Sequence, residues 1–119
     1  MNLNYFSLSE FDCPSLPNSG VNMDKQFLTK LEHARELAGI PFKITSGYRT
    51  ADHNKAVGGV PNSSHLIGVA ADIAVGSGNE RYIILNALIR AGFKRIGVAK
   101  GFIHCDTDNN SKPNSVWTY

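Results

Sequence analysis

At Gly39-Ile40-Pro41 the apolar repeat of the chain changes period, from that of a helix to that of a strand. Before it, Phe27, Leu28, Leu31, Ala34, Leu37 and Ala38 recur at helical spacing within Met23 to Ala38. Gly39 ends that helix and Pro41 prevents its restart. After it, Phe42 to Ser46 alternates and reads as a strand. A helical turn is expected over Ala51 to Val57, followed by the loop GGVPNSSH. Val69 to Val75 reads as a strand with Ala70, Asp72 and Ala74 on one face. Ser77 and Glu80 form a capping box for a helix through Ala91, closed by Gly92. Arg95 to Ala99 and Phe102 to Thr107 read as two strands joined by a tight turn at Lys100-Gly101. Residues 12–22, rich in Pro, Ser, Asn and Gly, read as loop. The tail, with Trp117 and Tyr119, is expected to pack back on the body. Short helices interleaved with strands, one pair a hairpin, indicate an α+β domain.

The 119 residues suit one domain, 1–119, and a composition 42% hydrophobic and 18% charged is that of a globular chain. The net charge of +2 comes with no run of Lys or Arg, which argues against nucleic acid as a partner. No stretch has the length of a membrane span. The N-terminus MNLNYFSLSEF lacks the basic start and apolar core of a signal peptide. The chain is therefore expected to be made in the cytoplasm, and a monomer is expected. Cys13 and Cys105 are two residues far apart and make no disulfide framework. In a strand Cys105 would face away from His104, as a buried apolar residue.

Three residues could supply the ligands of a catalytic zinc site, which keeps a fourth position for water. His65 enters a strand, Asp72 lies within it, and His104 lies in a later strand with Phe102 and Asp106 on its face. Ala70 and Ala74 leave room beside Asp72. Taken alone, each has another reading: a loop histidine bonded to backbone, an acid paired with Arg49, and a core histidine.

The run Ser63 to Asp72, SSHLIGVAAD, resembles the S-x-H-x-x-G-x-A-x-D signature of the zinc D-Ala-D-Ala carboxypeptidase family. Ser63, His65, Gly68, Ala70 and Asp72 all match. ITSGYRT (Ile44 to Thr50) resembles its S-G-Y-R segment, and FIHCD (Phe102 to Asp106) its H-x-D segment. The resemblance spans roughly residues 5–119 and implies the fold shared with the hedgehog signalling domain, a central antiparallel sheet with flanking helices. It implies Zn2+ on His65, Asp72 and His104, with Arg49 anchoring a substrate carboxylate or stabilising an oxyanion and Ser63 positioning substrate. Peptide bonds of peptidoglycan stem peptides are the implied substrate. The short chain resembles compact phage or prophage lysis enzymes, which act on the wall after release. Several family members carry an acid three residues before the last histidine, where this chain has Gly101. Asp106 is the expected replacement as general base, or else an orienter of a ligand histidine; His53 is a third candidate. The missing acid also leaves open a module that keeps the metal and binds wall or virion components without cutting.

Overall fold

The computed structural model describes residues 3–110 and 112–119. Helix α1 (Lys25–Ala38) starts at Asp24, whose Oδ2 accepts the Phe27 amide at 2.9 Å, and ends at Gly39 in the left-handed conformation (φ 69°). Strand β1 (Ile44–Ser46) and the short helix α2 (Ala51–Ala56) follow, then β2 (Ala70–Ala74) and α3 (Gly78–Arg90). Ser77 caps α3 through the Glu80 amide, but the Glu80 carboxylate accepts from Gly76 rather than from Ser77, so only half of the expected capping box forms. The chain closes with β3 (Arg95–Val98), β4 (Phe102–Asp106) and β5 (Ser115–Thr118). Two 3-10 turns, Leu8–Phe11 and Ser19–Asn22, lie near the N-terminus, the second inside the segment expected to be loop.

The five strands form one sheet in the order β1-β2-β4-β3-β5. Four are antiparallel, as expected; β5 pairs parallel to β3, so the sheet is mixed. The tail packs back on the body as expected, and it does so as an edge strand.

Strand alternation gives the sheet two unlike faces. Ala71, Ile73, Ile96, Ile103 and Cys105 face α1 and α3, which bring Phe27, Leu28, Leu31, Ile84 and Leu88 into one core. Each fully buried Leu, Ile or Phe there contributes roughly 1.5–3 kcal/mol. The opposite face carries a row across four strands. Asp72 lies opposite His104, His104 opposite Gly97, and Gly97 opposite Trp117. Cys13 and Cys105 are both buried and unpaired. No helix among the described residues is long and apolar enough to cross a membrane.

Candidate metal centre

His65 stands on a 3-10 turn, Ser64–Ile67, that the sequence fixes at both ends. Ser63 Oγ accepts the His65 amide at 3.3 Å, and Gly68 ends the turn at φ 74°. A Cβ at Gly68 would lie 2.3 Å from the Asn22 carbonyl oxygen, so backbone conformation and close approach both require glycine there. The turn is tied to the segment after β1, where the Arg49 amide donates to the His65 carbonyl. Asp72 and His104 come from the centres of neighbouring strands.

Both imidazoles have one nitrogen committed. His65 Nδ1 donates its proton to the Gly47 carbonyl at 2.7 Å, which leaves the Nε2 lone pair 3.4 Å from Asp72 Oδ1. His104 Nε2 donates to Asp106 Oδ2 at 2.7 Å, which aims Nδ1 at Asp72 Oδ1, 3.0 Å away. One ligand atom from each of the three residues lies within 4.8 Å of the others. Two imidazole lone pairs and a carboxylate converging on one point repel one another unless a cation joins them. This donor set, with each ring's outer N–H held by an oxygen, fits zinc.

A proton is the other cation that can join them. Burial disfavours a charged His104, but its hydrogen bonds to Asp106 and Asp72 outweigh that and hold it above its ordinary value. Burial likewise opposes the Asp72 carboxylate, yet the adjoining His104 and His65 rings hold it far below the usual range. The raised His104 value gives stability that is fully present below 6.5, its ordinary value, and is lost as pH climbs through the raised one. The depressed Asp72 value gives stability that is lost only in strong acid. The melting temperature of chelator-treated protein is therefore expected to fall as pH rises above about 6.5. With zinc in place of that proton the fall is absent. Thermal denaturation between about pH 6 and 8 checks both; a chelated protein that gains stability over that range contradicts the protonated pairing.

The three residues line a cleft of about 400 Å³. Val57 and Val60 line it, as do Phe102, Trp117 and Tyr119. Arg49 enters with its guanidinium held by Ser46 Oγ (3.0 Å) and by Asn54 Oδ1 (3.1 Å), and its NH2 is 3.5 Å from Asp72 Oδ2. The short helix α2 carries Asn54, which is buried and braces Arg49. Ser63 also lines the cleft. Gly101 has open space where a side chain would begin, and His53 is not among the cleft residues. Asp106 is buried with both oxygens engaged. Oδ2 accepts from His104, and Oδ1 accepts from Arg95 Nε at 2.8 Å and from the Asp108 amide at 3.1 Å.

A family model described as Peptidase M15 matches residues 4–106. The chain belongs to the peptidase M15 family. M15 peptidases are zinc-dependent, and membership supports a metallopeptidase of the peptidoglycan-acting kind. No curated protein matches the chain significantly. The M15 match ends at Asp106, so β5 and the loop before it lie beyond the matched residues although they complete the cleft.

Four contributors to this M15 site escaped sequence reasoning. Arg95 was legible in principle, because a two-residue turn at Lys100-Gly101 sets Arg95 opposite Asp106. Trp117 was expected to pack on the body, but nothing placed it beside His104, since β5 is short and its parallel pairing leaves no local pattern. Asp108 and Lys112 form an ion pair at 2.7 Å that ties the loop after β4 to Ser64 and to the Asn62 carbonyl, beside His65.

Proposed function

We propose that this chain is a zinc peptidase that hydrolyses peptide bonds in stem peptides of bacterial peptidoglycan. Its action is D-Ala-D-Ala carboxypeptidase-like or that of a lysis endopeptidase reaching the wall after release, as from a phage. The observation that carries the reading is the pair of imidazoles whose outer nitrogens are committed and whose free nitrogens meet Asp72 in an open cleft.

His65 Nε2, Asp72 and His104 Nδ1 would hold the metal. Bound zinc would supply a water acidified toward a pKa of ~7 and would polarise the scissile carbonyl. The Gly47 carbonyl keeps the proton of His65 on Nδ1, and Asp106 keeps that of His104 on Nε2, so both tautomers are set before substrate arrives. Arg49, braced by Ser46 and Asn54, has N–H groups left over for a substrate carboxylate or a developing oxyanion. Ser63, at the cleft wall, positions substrate. Asp106 serves better as an orienter of His104 than as a base, because neither of its oxygens is free.

That occupancy also favours a second reading. The carboxylates lining the cleft, among the described residues, are Asp72 and Asp106. A metal-bearing module that binds wall or virion components without cutting needs no further one.

Digestion of purified peptidoglycan by zinc-loaded protein, with products read by mass spectrometry, separates the two. A defined fragment that is absent with His104→Ala supports the peptidase and names the bond. Stoichiometric zinc with no product from several wall chemotypes supports the module. Against a cleaved substrate, Arg49→Lys is expected to lower kcat/KM roughly 10- to 100-fold, since an ammonium cannot replace the fork. An unchanged value removes Arg49 from substrate binding.

A further inference from the structure

Trp117 is the one large side chain that β5 lays over the metal centre. It can lie there because Gly97, its partner on β3, has no side chain. A Cβ at Gly97 would be 2.5 Å from Trp117 Nε1. The indole sits 5.5 Å from the His104 ring, tilted by 47°. The Arg95 guanidinium lies over the Trp117 ring, its carbon 5.0 Å from the ring centre. Arg95 also donates to Asp106 Oδ1 and to the Pro113 carbonyl. Asp106 in turn holds the proton of His104. Indole, guanidinium, carboxylate and imidazole thus form a closed ring of contacts around one ligand.

We propose that Arg95 and Trp117 are positioning residues for the metal centre: Trp117 fixes Arg95, Arg95 fixes Asp106, and Asp106 fixes the imidazole of His104. The proposal rests on the reading that His104 is a zinc ligand. It extends that reading to the C-terminal strand, beyond the residues the family match covers. The physical reason is that a carboxylate bonded to a ligand imidazole orients it only as well as the carboxylate is itself held. Arg95 holds Asp106 Oδ1 through Nε while its NH1 is tied to the Pro113 carbonyl, and the indole face limits the rotation of that planar group.

The test uses the full chain. Zinc affinity is measured by competition with a chromophoric chelator, and the ligand-field absorption of the cobalt-substituted protein reports on the geometry at His104. Stoichiometric zinc in the wild type tests the underlying reading; the ratio of variant to wild type tests this inference. Trp117→Ala and Arg95→Lys are each expected to weaken zinc binding by about 10-fold or more and to shift the cobalt bands. Trp117→Phe, which keeps a ring face, is expected to return affinity to within roughly 3-fold of wild type. Val116→Ala, on the other face of β5 and exposed, is expected to change neither readout. Wild-type affinity and spectrum in either Trp117→Ala or Arg95→Lys overturn the proposal. So does a Val116→Ala variant that reproduces the loss, or a Trp117→Phe variant that recovers nothing. If Trp117→Ala does not fold, Arg95→Lys decides, because it leaves the apolar contacts of β5 in place.

Discussion

Asp72→Ala protein is expected to bind no stoichiometric zinc and to release no fragment from peptidoglycan, while keeping its fold. Asp72 is the hub of the centre. Its Oδ1 lies 3.0 Å from His104 Nδ1 and 3.4 Å from His65 Nε2, and it is the only anion in the donor set. Two neutral imidazoles without it offer neither the third ligand nor the charge that a catalytic zinc site needs. Losing a partner outside the ligand set typically costs about 10- to 100-fold in metal affinity, and losing a ligand costs more. The fold survives because Asp72 points away from the core that its neighbours Ala71 and Ile73 help build. Metal content after dialysis and the far-ultraviolet spectrum check the two halves. A variant that still retains one zinc per chain would remove Asp72 from the ligand set.

Phe27→Ala is expected to have the reverse signature, a damaged fold around donors that are not touched. Phe27, on α1, is fully buried in the core shared with α3 and lies edge-on to Phe93 with ring centres 5.9 Å apart. Truncating a buried phenylalanine costs about 3–5 kcal/mol, the transfer of the ring plus the cavity it leaves. Domains of this size have about 5–15 kcal/mol in total, so a fifth or more of the stability goes. The melting temperature should fall by more than about 10 °C. Urea denaturation in the presence of chelator measures the change without the added stability that zinc binding confers. A loss below about 1 kcal/mol would mean that α1 and α3 close over the gap, which the packing around Phe27 does not suggest.

The elements that sequence reasoning located best are those with local signals. Gly39 and Pro41 mark the end of α1 on their own, whereas its start at the Asp24 cap falls just inside the expected Met23, and the hairpin follows from one tight turn. The His65, Asp72 and His104 triad was legible because strand alternation places Asp72 and His104 on one face once their strands are neighbours. The family resemblance supplied that neighbour relation; spacing did not. What stayed hidden depends on contacts between distant segments. β1 begins at Ile44, two residues later than the alternation of Phe42 to Ser46 indicates, and its pairing with β2 is irregular between Ile44 and Ser46. The tail was expected to pack back, yet its parallel pairing with β3 follows from no periodicity in Ser115 to Thr118. The tautomer of His65 depends on a backbone carbonyl at Gly47, which no side-chain pattern reports.

The row from Asp72 through His104 and Gly97 to Trp117 makes this chain unusually intolerant of length changes inside its strands. An added or deleted residue within a strand turns every side chain beyond it to the other face. In β2, β4 or β3 that would put a charged or polar group into the core and an apolar one into the cleft at once, so neither half could compensate for the other. Substitutions can be accepted one at a time along these strands. Insertions and deletions should instead collect in the segments between them, and relatives of this chain should differ in the reach of those loops around an unshifted row.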